Sequence, residues 1–374
     1  MNQGGISISR RGPRIVCLLF VLAGISVAQG GGLASPTRQK LETEIQKFMA
    51  AKSIPGLSVA IVKNGNFVWA NGFGMADLEN SVPATPQTLY RLASVSKPIT
   101  AVAALQLWQA GKLDLDVPVQ KYCPAFPVKE DGAINTRELL SHMAGIRHYH
   151  LGKVLDPLVG STKHLKDPIK EGLDFFKNDP LVSKPGTEFH YSTYGYTLIG
   201  CAIEGASDKK YVDYVMKSVF APAGMNNSQV DNRLAIIPHR TSFYQKESSH
   251  VQNADFLDSS YKIPGGGWLS SAEDMARFEV AILNDTLVTR ATRDFMWIPR
   301  YTSRERSYGM GWGITKLEGQ LIYSHSGDQQ GTSTFIAVAP KSKTGVVVLS
   351  NLEESGADDL GKELMKMLLP QSLQ

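Results

Sequence analysis

Three short segments of this chain carry residue types and spacings that suit acyl transfer. Ser94-Val95-Ser96-Lys97 sets a lysine three residues after a serine, and on a helix that spacing puts both side chains on one face. A serine hydroxyl is a weak nucleophile until a neighbouring base takes its proton, and a lysine can do so once burial or another cation depresses its pKa. A chain of this length can contain the pattern by chance, with Ser94 capping the helix and Lys97 in solvent. Two further segments bear on the choice. Tyr191-Ser192-Thr193 follows the turn Lys184-Pro185-Gly186 and precedes an apolar run through Leu198 and Ile199, so Tyr191 sits on a loop entering a helix, where catalytic groups collect. His325-Ser326-Gly327-Asp328 follows a short run at Leu321 to Tyr323 and has Gly331 just beyond, a glycine that would let backbone approach a ligand closely. Taken singly, Tyr191 reads as a core tyrosine and His325 as a hydrogen-bonded surface residue.

The elements around these segments supply the positioning. Pro98 to Gln109 consists mostly of strong helix formers with Gly111 beyond, which predicts a buried, almost wholly apolar helix with a glycine stop. Ser94 lies at its opening, where the positive end of the helix dipole favours a developing oxyanion. Upstream, Leu41, Ile45 and Met49 mark an amphipathic helix from Thr37 to Ala51. Leu57–Val62 and Phe67–Ala70 flank Lys63-Asn64-Gly65-Asn66, a strong hairpin signal. Downstream, strands are expected at Leu321–Tyr323, Thr334–Ala339 and Val346–Ser350, with a last amphipathic helix at Leu360–Leu369. The middle reads as helical: Asn135 with Glu138 resembles a capping box, and Tyr211 to Val219 has helical periodicity. Strands at both ends must then pair across that middle. The expected architecture is α/β plus all-α, an antiparallel sheet flanked by helices (about 37–112 and 289–374) with a helical region inserted (about 113–288). A cleft between the two parts is the natural place for chemistry.

Composition narrows the function further. Hydrophobic residues make up 43% and charged residues 20%, the balance of an ordinary globular protein. The net charge of +4 is spread along the chain with no long basic run, so nucleic acid is not an expected partner. Arg10, Arg11 and Arg14 precede an apolar run from Ile15 to Ala28 that is short for a membrane span, which predicts a signal peptide at 1–28 and a mature hydrolase domain at 29–374. Export to the periplasm or cell exterior is the leading expectation, with no membrane span in the mature chain. A mitochondrial presequence is the alternative, and a twin-arginine signal a second one. Cys17 falls in the leader. Cys123 and Cys201 are left, either as one disulfide or as two buried thiols.

Together the three segments resemble the penicillin-recognising serine hydrolases: class C β-lactamases, D,D-peptidases and β-lactamase-type esterases. Their motifs are S-x-x-K, Y-x-N, and K-T-G or H-x-G, and Ser94, Lys97, Tyr191 and His325 to Gly327 fill these places in order. Leu139 to Ile146, Ala221 to Met225 and Gly265 to Ser270 extend the resemblance, which spans about Leu41 to Leu369. Ser141 to Tyr149, Phe176 to Pro180, Tyr191 to Leu198 and Asp258 to Lys262 are similar to a branch with mitochondrial and bacterial members. Filament formation in that branch leaves room for self-association.

The resemblance implies a β-lactamase/transpeptidase-like fold, a covalent acyl-enzyme on Ser94, no cofactor or metal, and a small-molecule or peptide acyl substrate. It also implies an oxyanion hole made by the backbone N–H groups of Ser94 and Asp328. Two positions depart from the β-lactamase pattern. Thr193 stands where an asparagine would bind an acylamide side chain, and His325 replaces the lysine that would hold a substrate carboxylate. Hydrolysis of amides or esters is therefore expected ahead of true class C β-lactamase activity. The rival of another class is a non-catalytic binding or filament-forming module on the same fold. No G-x-S-x-G elbow supports an α/β-hydrolase, and His142, His148 and His150 lack the carboxylate spacing of a zinc hydrolase.

Overall fold

In the computed structural model, residues 1, 32–151, 154–155, 163–304 and 307–370 are described. The expected leader, Cys17 included, lies outside them apart from Met1. Contacts divide the chain after Gly31, and the fold described is that of Gly32–Gln374. It opens with helix α1 (Ser35–Lys52), whose Leu41 and Ile45 are fully buried. Strands β1 (Gly56–Lys63) and β2 (Asn66–Asp77) form the expected hairpin. Asn64 and Gly65, at φ 54° and 75°, make the two-residue turn whose twist matches the strands it joins.

Helix α2 (Ser96–Gln109) is mostly apolar and is buried from Ser96 to Leu105, as such a composition requires. Asn135 and Glu138 form a complete capping box at the start of a short helix, Thr136–Leu140. Next come helix α3 (Thr193–Ser207), capped by the Ser192 side chain, and helix α4 (Ala272–Leu283). Strands β3 (Gly313–Leu317), β4 (Gln320–Gln329), β5 (Thr332–Ala339) and β6 (Thr344–Ser350) precede helix α5 (Ala357–Leu368).

The ends do pair across the middle. β1 lies antiparallel to β6, from Leu57 opposite Ser350 to Val62 opposite Gly345, and the sheet runs β3-β4-β5-β6-β1-β2 at its centre. The strand pair Tyr301–Thr302 and Ser307–Tyr308 extends the β3 edge, and Val82–Pro83 extends the β2 edge. Leu57, Val59, Ile61, Val346 and Val348 face one core with α1 and α5, while Ala60, Val62, Val347 and Leu349 face a second core with α2, α3 and α4. That is the period-two alternation of strands covered on both faces. Cys123 and Cys201 are bonded, which ties a loop to α3 across 78 residues of sequence.

One strand differs from expectation in a way that matters for the site. β4 continues past Tyr323 to Gln329, because Thr332, Ser333 and Thr334 of β5 pair with its polar second half. β3, which the sequence pattern did not suggest, pairs with β4 only as far as Ser324. His325 to Gln329 are thus strand residues whose outer edge has no β3 neighbour. Gly331, at φ 72°, serves the β4–β5 turn, and a Cβ there would lie 2.3 Å from that of Phe243, so its glycine answers to the turn and to Phe243.

Candidate active site

Ser94 sits in a single tight turn, Ala93–Val95, that runs directly into α2. Ala93 adopts φ 47°, a left-handed conformation that is unfavourable for a residue with a Cβ. Its neighbours hold it there: the Leu92 N–H donates to Trp268 O at 2.8 Å, and the Thr334 hydroxyl donates to Leu92 O at 2.8 Å. The turn leaves Ser94 half-buried at the cavity wall while Val95 to Thr100 are buried. Lys97, in the first turn of α2, is fully buried and donates from Nζ to Ser94 Oγ at 2.9 Å. It also donates to Gly265 O at 2.8 Å and Thr193 Oγ1 at 3.2 Å. Burial, and then the charge of Lys262, draws the Lys97 pKa well below that of an ordinary lysine.

These contacts give Thr193 a part that its place in the sequence did not suggest. Its hydroxyl accepts from Lys97, and its N–H donates to His148 Nδ1 at 3.3 Å. Burial and the cationic neighbours Lys97 and Lys262 hold the His148 pKa down to about 3, so its ring stays a neutral acceptor. Gly265 must be glycine, since a Cβ there would fall 2.6 Å from Thr193 Cγ2. Gly265, His148 and Lys262 lie in segments that carry the family resemblance but were not expected as site residues. The glycine run Gly265-Gly266-Gly267, which begins three residues after Lys262, is the signal that could have flagged them.

Tyr191 precedes the Ser192 cap of α3, on the loop where it was expected, and Lys97 Nζ lies 4.7 Å from its ring centroid. His325 is 8% exposed and points into the same region. Its Nδ1 lies 2.6 Å from Ser326 O, and a carbonyl can only accept, so Nδ1 carries a hydrogen. Nε2 lies 3.0 Å from the Tyr308 hydroxyl. The imidazole is therefore braced by Tyr308, with the Tyr191 ring centroid 6.3 Å away.

Gly327 brings β4 against Ser94. A Cβ at that position would lie 2.4 Å from Leu92 O and 2.9 Å from Ser94 N. Ser94, Tyr191, His325, Ser326 and Asp328 line one cavity of about 510 Å³. Lys97 stands behind its wall, and Thr193 and Gly327 complete the group, so all eight residues singled out by motif meet here. The rings of Tyr191, Tyr308 and Phe335, with Ile314, make the cavity partly apolar. Its rim carries Asp328 and Asp358, and Lys362 on it is paired with Asp358 at 2.5 Å. Burial raises the Asp328 pKa to about 6.

What this arrangement can do is activate a hydroxyl. With Lys97 neutral, its two N–H groups point at Gly265 O and Thr193 Oγ1 and its lone pair faces Ser94. Among the described residues no helix is long and apolar enough to cross a membrane. The cluster of His142, His148 and His150 brings no metal-ligating group together among the described residues.

Comparison with known proteins agrees with this chemistry. The family model described as Beta-lactamase matches residues 41–366. The chain is similar to the human serine beta-lactamase-like protein LACTB, mitochondrial, at 32% identity over 77% of this chain and 69% of that one. It is also similar to Protein flp of Staphylococcus aureus, at 28% identity over 89% of this chain and 66% of that one. Among solved structures, the octameric penicillin-binding protein homologue from Pyrococcus abyssi matches with a TM-score of 0.79 at 28% identity, covering 89% of this chain and 78% of that one.

Proposed function

The chain belongs to the beta-lactamase family and is a serine hydrolase of it, and from that premise we propose that Ser94 is its nucleophile, Lys97 the base and Tyr191 the proton donor to the leaving group. The observation that carries this reading is the 2.9 Å contact between Ser94 Oγ and a fully buried Lys97 Nζ whose other two contacts are acceptors. Ser94 Oγ attacks the carbonyl carbon as its proton passes to Lys97. The new oxyanion accepts from the N–H groups of Ser94 and Asp328. The bond to the leaving group then breaks, the leaving group takes a proton through Tyr191, and an ester on Ser94 remains. Water repeats the steps in reverse sense and frees the acid.

Esters or amides that are neutral on the leaving-group side stand ahead of penicillins as substrates in this proposal. A β-lactamase-like lysine would offer a fixed charge to a carboxylate, whereas His325 is held between Ser326 O and Tyr308 beside an acidic rim. A charge-assisted hydrogen bond contributes about 1.5 to 3 kcal/mol, so His325→Lys should raise penicillin turnover relative to a neutral ester by about tenfold or more. Wild-type protein that prefers penicillins, with no change in His325→Lys, would make β-lactamase the better name. For location, the Cys123–Cys201 bond supports an oxidising compartment, reached through a leader at 1–28. Export is favoured, and the mitochondrial relative keeps that organelle as the alternative. The octameric homologue supports self-association.

A further inference from the structure

A second, smaller cavity of about 120 Å³ also reaches Ser94, and neither Tyr191 nor His325 lines it. It shares Ser94, His148 and Asp328 with the large one and is closed by Thr193, Lys262, Gly265, Gln329 and Gln330. Two of its lining residues carry a donor that, among the described residues, has no acceptor. Lys262 is 4% exposed, and among the described residues no oxygen accepts from its Nζ, which has only the Tyr149 and Tyr261 rings, at 5.6 and 5.3 Å. Gln329 is 9% exposed, and its buried Nε2 has no hydrogen-bond partner. Buried polar groups are almost always satisfied, and an unsatisfied buried ammonium is costly.

Among the described residues, the acidic side chains near this amine already have other partners. Asp231 is held by Arg91 at 2.8 Å, and Arg91 also donates to Gln330 O at 3.0 Å, which fixes the far wall of the cavity. The Asp328 carboxyl bonds Ser333 and faces Asp358, Glu354 and Glu353. Burial and the Arg91 charge lower the Lys262 pKa to about 7, so an incoming anion would restore its full charge.

Catalysis assigns the two cavities to the two halves of a substrate. The departing group needs a proton and must lie beside Tyr191, so the acyl part lies across Ser94 from it. We propose that the small cavity binds a carboxylate at the end of a short acyl chain, with Lys262 and Gln329 donating to it. The inference rests on Ser94 being the nucleophile. It complements the preference proposed at His325, which concerns charge on the leaving-group side.

The test compares monoethyl succinate with ethyl 4-methylpentanoate, which have the same chain and leaving group and differ in a terminal carboxylate against a branched alkyl end. Acid release by wild type, Lys262→Met and Gln329→Leu gives a ratio of kcat/KM for the two esters. That ratio cancels any effect of Lys262 on Lys97. Wild type should favour the succinate about tenfold or more, Lys262→Met should lose that preference, and Gln329→Leu should lose part of it. Succinate should also inhibit wild-type hydrolysis of the neutral ester competitively, a readout that needs no variant. A wild-type ratio at or below one, or a preference untouched by Lys262→Met, overturns the proposal while labelled Ser94 leaves the nucleophile reading in place. Failure of Ser94 to label, with neither ester turned over, sinks both.

Discussion

Lys97→Met is expected to lower kcat/KM by about three orders of magnitude for every substrate, because it removes the proposed base, whose Nζ lies 2.9 Å from Ser94 Oγ. General acid–base catalysis contributes roughly 10² to 10⁴ in rate, and an unassisted serine is a weak nucleophile in addition. The loss should fall on acylation and appear as a slower burst. Arginine should not rescue it, since a guanidinium stays protonated and has no lone pair to offer. In wild type, activity should rise with pH through the lowered pKa of Lys97, because only the neutral amine can take the serine proton. The variant should keep its fold. Burial depresses the Lys97 pKa, so charging that site costs stability wherever the unfolded lysine is protonated, and a methionine of similar length avoids the cost. A Tm at or above wild type alongside a thousandfold loss of rate would assign the loss to chemistry. Retention of activity within tenfold would contradict the assignment of Lys97 as base.

Gly327→Ala should cost about a hundredfold in kcat through position alone. The added methyl would meet Leu92 O at 2.4 Å and Thr334 Oγ1 at 2.6 Å, and Leu92 directly precedes the strained turn that holds Ser94. The two backbones must separate, and misplacing a catalytic group by about 1 Å can cost on the order of 10²-fold. The variant keeps Ser94, Lys97 and Tyr191, so a fluorophosphonate should still label it, only more slowly. Wild-type kinetics in Gly327→Ala would show that β4 need not approach the nucleophile so closely.

Much of this was legible in the sequence where a local rule decides the outcome. Asn64-Gly65 sets the β1–β2 turn, the apolar run after Lys97 sets a helix buried on all sides, and Asn135 with Glu138 caps the helix that follows. Ser94, Lys97, Tyr191 and His325 could be named because each belongs to a short motif with a mechanism. Long-range partners decided the rest. Ser324 to Gln329 is a polar stretch with a glycine, and it is a strand only because β5 pairs with it. The pairing of Cys123 with Cys201 depends on where α3 packs, which no spacing reveals. Lys262 and Gln329 matter through a cavity that forms when segments about 65 residues apart come together. Thr193 looked like the loss of an asparagine contact, while in the fold its hydroxyl accepts from Lys97.

The central claim is that Ser94 forms the covalent acyl-enzyme, and intact-protein mass spectrometry after a fluorophosphonate probe tests it most directly. Wild type should gain the mass of a single adduct, mapped by peptide analysis to Ser94, and Ser94→Ala should gain none under the same conditions. Equal labelling of wild type and Ser94→Ala would contradict the account, because the nucleophile would then lie elsewhere in the chain.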